Sequence, residues 1–321
     1  MKILITGGFG YVGTKLATFL AKKGHQIFII DNLLQKNLNK KILSKKIKFF
    51  RIDINNHQKV SKNLKDNDYD IVIHLAAIVG DPASKLFPDL TIKTNLVSSK
   101  HLFNLCKKNK IKKFFFFSTC SNYGLSDGKS LLNEMSPLKP LSIYAKTKVD
   151  FEKFLLKDKN KISKIILRIS TLYGCSYRMR YDLTINEFTK YLSLKKKLSV
   201  FDADTWRPYI HLEDLSNIVN FLLNYKIKNN VEVYNTGIIG ANYTKRDICD
   251  EIIKQIPNKS KYLSYSEKPS ADKRNYKVDF SKITKLKIKN KYNLKRGIKE
   301  IIHDLKINKY HRKFIKKFSN I

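Results

Sequence analysis

Apolar runs of strand length punctuate the first half of the chain, at Ile3-Leu4-Ile5 and at residues 26–31, 47–54, 70–77 and 113–119. Each is close to continuously apolar rather than alternating, the pattern of strands buried on both faces of a parallel sheet. Stretches with helical periodicity lie between them, at residues 14–23, where Gly24 can end the helix, and at 90–108. This alternation predicts an α/β architecture, a doubly wound parallel sheet covered by helices. Ligands of such sheets bind outside the carboxyl ends of the strands. The turn from Thr6 to Gly13, Asp31, Asp53, Ala76-Ala77 and Ser118-Thr119 all fall at those ends. Beyond them, residues 144–156, 215–225 and 245–256 read as helices, and residues 231–237 read as a strand that returns to the main sheet. The division expected is residues 1–171 for the sheet domain and 172–321 for a smaller substrate domain with a basic tail, 306–321.

With 321 residues and a hydrophobic fraction of 42%, the chain can bury a substantial core, which argues against disorder. The net charge of +37, from 64 basic and 27 acidic residues, would ordinarily suggest a polyanion partner. Here the excess is mostly lysine spread along the whole chain beside many asparagines and isoleucines, the mark of a compositional bias. The clusters at 195–197 and 309–317 read as solvated faces first and as weak anion-binding patches second. No nucleic acid is therefore expected as a partner. Strand 1 begins at Ile3 with no apolar leader before it, and no apolar run approaches the ~20 residues a membrane helix needs. Cys106, Cys120, Cys175 and Cys249 are scattered without metal-ligand spacing, which fits a reduced cytoplasm and no metal.

Candidate chemistry begins at Thr6-Gly7-Gly8-Phe9-Gly10-Tyr11-Val12-Gly13, between a strand and a helix. Glycines let the backbone turn sharply and approach a pyrophosphate, whose charge meets amide groups and the positive helix end. Asp31 ends the second strand, roughly 20 residues on, and can accept both adenosine-ribose hydroxyls; it would repel a 2′-phosphate, so NAD is favoured over NADP. The competing reading of Asp31 is a polar residue closing a strand. Tyr144 and Lys148, four apart, share one helix face. A phenol has a pKa near ~10, and a nearby ammonium favours the phenolate, a part Lys148 can take while also bonding a cofactor ribose. Thr119 could donate to the same substrate oxygen. Taken alone, Tyr-x-x-x-Lys is also an ordinary amphipathic helix start.

Jointly, Gly7-x-x-Gly10-x-x-Gly13, Asp31-Asn32, Asp53-Ile54, His74-Leu75-Ala76-Ala77, Asn95, Ser118-Thr119 to Tyr123-Gly124, Tyr144-x-x-x-Lys148, Leu167-Arg168 to Tyr173-Gly174 and Arg207-Pro208-Tyr209-Ile210-His211 resemble the extended short-chain dehydrogenases/reductases, specifically the nucleotide-sugar epimerase/dehydratase family. The resemblance runs to about residue 305. It implies a Rossmann-type sheet and an NAD site formed by Gly7, Gly10, Tyr11, Val12, Gly13, Asp31, Asn32, Asp53, Ile54, Leu75, Ala76, Ala77 and Asn95, together with Tyr144 and Lys148. Thr119, Tyr144 and Lys148 take the catalytic places. Thr171, Arg178, Arg180, Asn186, Arg207 and Arg274 fall on the substrate side, Arg207 and Arg274 matching arginines used on a diphosphate. Guanidinium forks suit that task. Arg178 and Arg180 could equally be structural ion-pair partners of Asp182 or Glu187, and Arg274 could be surface background.

Two departures narrow the reaction. Where sugar 4,6-dehydratases resemble one another in an acidic pair after the catalytic Thr, this chain has Cys120 and Ser121, so dehydration is disfavoured. Where many 4-epimerases carry Asn, it has Thr171. Residues 175–183, 241–246 and 272–276 resemble a sub-branch that includes GDP-heptose-modifying enzymes. The activity implied is oxidation and reduction at C4 of a nucleotide-diphosphate sugar, epimerisation through a 4-keto intermediate first and net 4-dehydrogenation or 4-ketoreduction second. A non-catalytic RNA-binding or scaffold protein is the competitor from another class. A homodimer through a helix pair that includes the Tyr144 helix is expected.

Overall fold

The computed structural model describes residues 1–34, 44–126, 130–269, 272 and 274–307. Five strands come first: β1 (Lys2–Thr6), β2 (Gln26–Asp31), β3 (Ile47–Arg51), β4 (Ile71–His74) and β5 (Lys113–Thr119). With Ser163–Ile169 and Val231–Thr236 they form one seven-stranded sheet, in the order Val231–Thr236, Ser163–Ile169, β5, β4, β1, β2, β3. Every pairing in it is parallel. The order reverses beside β1, whose neighbours are β4 and β2, and a crevice opens there at the carboxyl ends.

Apolar runs become strands here because both faces are covered. Ile3 and Ile5 of β1 point into one layer with Leu16 and Leu20 of helix α1 (Tyr11–Lys22) and Leu215, Ile218 and Leu222 of Leu212–Asn224. Leu4 points into the opposite layer with Leu102, Phe103, Phe151 and Leu155. In β5, Phe115 and Phe117 enter the first layer, Phe114 and Phe116 the second. Burying each such side chain is worth about 1.5–3 kcal/mol.

After Ile169 the chain leaves the sheet, and residues 212–236 bring it back as the Leu212–Asn224 helix and the outermost strand. A separate core gathers Met179, Ile185, Leu192, Val200, Ile248, Ile252, Ile298 and Ile301. Two of its neighbouring strands, Thr171–Tyr173 and Trp206–His211, pair in parallel, and the latter pairs antiparallel with Asn242–Thr244. The cluster 195–197 is exposed, and the basic cluster 309–317 lies outside the described residues. No helix among the described residues is long and apolar enough to cross a membrane.

Two elements differ from expectation. The third strand stops at Arg51 rather than 54, because Asp53 starts a turn: its carboxylate takes the Asn55 amide at 2.8 Å and its carbonyl the Asn56 amide at 2.9 Å. The helix expected over 90–108 is divided into Pro88–Ile92, a π-helical turn Lys93–Val97, and Ser98–Lys108. The wide turn holds Asn95, which bonds both the amide and the carbonyl of Ile78.

Candidate functional site

The glycine corner is built by close approach. Gly7 has φ +71°, and a Cβ there would stand 2.7 Å from the Ala76 amide nitrogen. At Gly13 a Cβ would stand 2.5 Å from Gly7 O. Gly10 caps α1 without a side chain, and no acidic residue lies in its first turn. The amides at that helix end thus meet an anion with no competing carboxylate, and the corner fits a dinucleotide pyrophosphate.

Asp31 stands at the end of β2, its oxygens taking the Phe9 amide at 2.9 Å and the Leu33 amide at 2.8 Å. Burial pushes its carboxyl above the usual range, while those amides and the Arg178 charge pull it down. Asn32 donates to Asp53 at 2.9 Å, and Ile54 is buried behind them. The Leu75 amide bonds Thr6 O at 3.1 Å, and the Ala76 amide bonds the Thr6 hydroxyl at 3.3 Å, so β4 hands its end to the crevice with Ala77 following.

Several assigned residues have other work. Asn95 spends its amide on Ile78 and on Thr147 at 3.3 Å, so it pins the strand-end loop to the Tyr144 helix. The Tyr11 side chain is buried and donates to Gly174 O at 2.7 Å, which leaves its backbone for the corner; Val12 packs between two cores. Asn186 is fully buried and bonds the Gly174 amide, the Tyr11 hydroxyl and Arg180 O. These bonds make it a structural pin between the Gly174 turn and Tyr11.

The three candidate catalytic residues do converge. Ser142 caps the helix Ile143–Lys157, turning Tyr144 and Lys148 toward the end of β5. The Thr119 hydroxyl stands close enough to the Tyr144 phenol to pull it down. Lys148 Nζ donates to Phe117 O at 3.0 Å and lies 5.9 Å from the Tyr144 ring centre. Their electrostatics are set first by burial, which pushes Tyr144 up to about 12, while Arg180, the Thr119 hydroxyl and Arg274 pull it down. Burial likewise pushes Lys148 down to about 7, against the pull of the Glu152 carboxylate.

On the substrate side, Thr171 pairs in register with Tyr209. Arg180 forks onto Asp182 at 3.2 and 2.5 Å, the ion pair weighed as an alternative. Arg178 is buried with its charge toward Asp31 and Asp182, and thus toward the cofactor end. Arg207 meets Asp272 at 3.2 Å. Arg274 is not surface background: it forks onto Asp272 at 2.7 Å twice, meets Asp81 at 3.2 Å and donates to the Ser121 hydroxyl at 2.9 Å. That sets it against the catalytic turn. Cys120 is buried, donates to Arg168 O, and is pushed up to about 12 by burial, so it is no acid/base partner.

Sequence reasoning passed over the polar plate beneath this turn. Glu152, fully buried, takes Ser118 Oγ, Asn122 Nδ2 at 2.9 Å and Arg168 at 2.9 and 3.1 Å. Its signal was the second step of the Tyr144, Lys148, Glu152 spacing of four. Asp81 was also missed, at the start of the short helix Asp81–Leu86. Among the described residues no group of His, Cys, Asp and Glu is arranged to hold a metal.

Residues 3–237 match the model of the NAD dependent epimerase/dehydratase family. A UDP-glucose 4-epimerase of Bacillus subtilis (strain 168) is 27% identical over 330 residues, spanning 95% of each chain. Among solved structures, a UDP-glucose 4-epimerase of Thermotoga maritima with UDP-glucose superposes with a TM-score of 0.85 at 25% identity, covering 98% of this chain and all of that one. A UDP-glucuronic acid 4-epimerase of Bacillus cereus, in complex with UDP-glucuronic acid and NAD, gives 0.82 at 29% identity, covering 95% and 99%.

Proposed function

The chain belongs to the NAD-dependent epimerase/dehydratase family, and from that premise we propose that it inverts C4 of the sugar in a nucleotide-diphosphate sugar. The observation that carries this reading is the meeting of Thr119, at the end of β5, with Tyr144 and Lys148 on one face of the Ile143–Lys157 helix, at the strand ends beside the glycine corner. NAD, held by the corner and Asp31, supplies a reversible hydride acceptor for C4. Tyr144 takes the proton of the 4-hydroxyl and returns it after the 4-keto sugar has presented its other face. Thr119 holds the oxygen on which charge develops. The charges of Arg180 and Arg274 offset part of the burial that keeps the phenol protonated, and Lys148 ties the helix to the end of β5. Arg207 faces the diphosphate.

A relative that is a 4-epimerase along 95% of both chains supports inversion over elimination, as do a buried Cys120 and a Ser121 already bonded by Arg274. The nucleotide base is the part a screen of UDP-, GDP-, dTDP- and CDP-sugars decides. Epimerisation leaves the 340 nm absorbance of NADH without net change, whereas net oxidation or reduction moves it. Replacing Tyr144→Phe is expected to lower kcat by at least about 100-fold, the scale of a lost general acid/base; full turnover by that variant on the identified sugar would sink the assignment. We further propose a homodimer through the Ile143–Lys157 helix, where Leu156 is exposed, and the adjoining exposed Leu90, Ile92 and Val97. Sedimentation of the purified protein as a monomer would refute it.

A further inference from the structure

Two arginines of the substrate half converge on one carboxylate beside the catalytic turn. Thr119 Oγ1 takes the Ser121 amide at 3.1 Å, Ser121 Oγ takes Arg274 Nη1 at 2.9 Å, and Arg274 Nε and Nη2 each stand 2.7 Å from Asp272. Arg207 Nη2 meets the same carboxylate at 3.2 Å. A series of direct contacts therefore joins the catalytic turn to Arg207, and Asp272 is its middle link. Both arginines are also held without that acid. Arg207 donates to Trp206 O at 2.8 Å and lies 5.4 Å from the centre of the buried Tyr276 ring, while Arg274 has Ser121 and, at 3.2 Å, Asp81. Burial raises the Asp272 carboxyl, yet the two arginines hold it far below the usual range, so it is ionised. Lys245, a third cation that feels Asp272, gives its ammonium to Phe201 O at 2.6 Å.

The cluster is neutral as it stands, with Arg207 and Arg274 against Asp272 and Asp81. A sugar diphosphate is a dianion, and adding it to groups that already balance would crowd carboxylates and phosphates around the same two cations. One anion has to give way. Side-chain exposure shows which can: Asp272 is 43% exposed, against 21% for Arg274 and 9% for Arg207. The acid lies on the solvent side of its partners and can turn to water while the guanidiniums stay in place. The chain is anchored three residues on, where Asn275 takes the Trp206 amide at 2.9 Å and the Ser126 amide at 3.1 Å, whereas Asp272 itself belongs to no strand or helix.

We infer that Asp272 is a tethered counter-ion that alternates with the substrate diphosphate on the Arg207 and Arg274 forks, and thereby limits how tightly a nucleotide is held. This rests on the reading of the substrate as a nucleotide-diphosphate sugar and adds a control on its binding. Guanidinium forks bind carboxylate and phosphate oxygens by the same geometry, so one can replace the other. A ligand that must displace a resident anion binds more weakly by the fraction of time the forks are free, and a tethered anion is always at hand.

The test is calorimetric titration of the full-length, NAD-loaded protein at fixed ionic strength with inorganic pyrophosphate, which carries the diphosphate without a base, and with UDP and GDP. Asp272→Asn and Asp272→Ala are expected to bind pyrophosphate at least about 10-fold more tightly than wild type, the effect of freeing forks that are otherwise occupied most of the time. Arg207→Gln and Arg274→Gln are expected to bind it at least about 10-fold more weakly. Retained NAD and an unchanged melting temperature check that each variant is folded; should Asp272→Ala fail to fold, Asp272→Asn decides by the same criterion. The sign of the effect is decisive, because an acid that merely aligns the arginines, or that itself touches the ligand, would weaken binding when removed. Equal or weaker binding by folded Asp272→Asn overturns the inference. So does pyrophosphate binding indifferent to both arginines, or none measurable in wild type and Asp272→Asn alike. Tighter pyrophosphate binding by Asp272→Asn, in a protein that turns over no nucleotide sugar, would leave the counter-ion standing and bring down the C4 chemistry. Turnover of a nucleotide sugar with no gain in pyrophosphate affinity would do the reverse.

Discussion

Removing the Glu152 carboxylate tests whether the buried plate beneath Thr119 is a stabilising unit or a decoration. Glu152 has no exposed surface, and the Arg168 side chain is 5% exposed. Glu152→Leu would strand a guanidinium in the core, with Tyr123 OH at 3.1 Å and Glu134 O at 3.0 Å as its remaining partners. Removing one member of a buried ion pair costs about 3–5 kcal/mol, and the Ser118 and Asn122 donors lose an acceptor worth about 1 kcal/mol each. The expected loss of about 5–7 kcal/mol is a large part of a domain's usual stability. Taking both charges away, as Glu152→Leu with Arg168→Met, removes the uncompensated cation while keeping the volume apolar, so the double variant should be more stable than Glu152→Leu by about 2–4 kcal/mol. Equilibrium urea unfolding measures both, and kcat on the identified sugar should fall in each, because Ser118 and Asn122 flank the turn that aims Thr119. If Glu152→Leu loses less than about 1 kcal/mol, or if the double variant is no more stable than the single, the reasoning about this pair is wrong.

Acid stability should carry the signature of His74. The ring is buried between the Thr6 hydroxyl at 2.7 Å and the Ser99 hydroxyl at 2.8 Å, and burial pushes it down to about 3. Its folded pKa is depressed below the unfolded value near ~6.5, so the unfolded chain binds the extra proton between those values. Stability is therefore full above about pH 6.5 and falls on acidification, by up to about 1.4 kcal/mol per unit. His74→Asn should flatten that slope in urea midpoints taken from pH 7.5 to 5; an identical slope in wild type and variant would reject the assignment. At the glycine corner, Gly7→Ala forces a Cβ against the Ala76 backbone at 2.7 Å and should lower NAD affinity at least about 10-fold in a fluorescence titration. Gly24→Ala, with φ +94° but nothing within 4 Å of the new Cβ, should cost about 1 kcal/mol of stability and leave NAD affinity unchanged. Equal effects of the two on NAD would mean that close approach is not what the corner glycines provide.

What the sequence made legible is what local periodicity and burial record. β1 and β5 are written as unbroken apolar runs because layers of helix cover both faces, so Leu4 and Phe116 are as buried as Ile3 and Phe115. The Tyr144 and Lys148 spacing was readable because one helix turn sets both on a face, and Asp31 because strand and corner fix its distance from the glycines. The π turn at 93–97 was not, since its apolar spacing is that of a helix and its cause is a contact from Asn95 to Ile78, seventeen positions away.

Charge placement was the part least recoverable from order along the chain. Arg274 reads as a diphosphate ligand by motif, yet its partners are Asp81, Ser121 and Asp272, the first two separated from it by 193 and 153 positions, where no pattern in a window of sequence reports on them. Lys148 reads as the cation that ionises Tyr144, yet the same burial that brings the two side chains together pushes the lysine toward neutrality and the phenol toward protonation. A motif names which residue types meet; the dielectric they meet in is a property of everything packed around them.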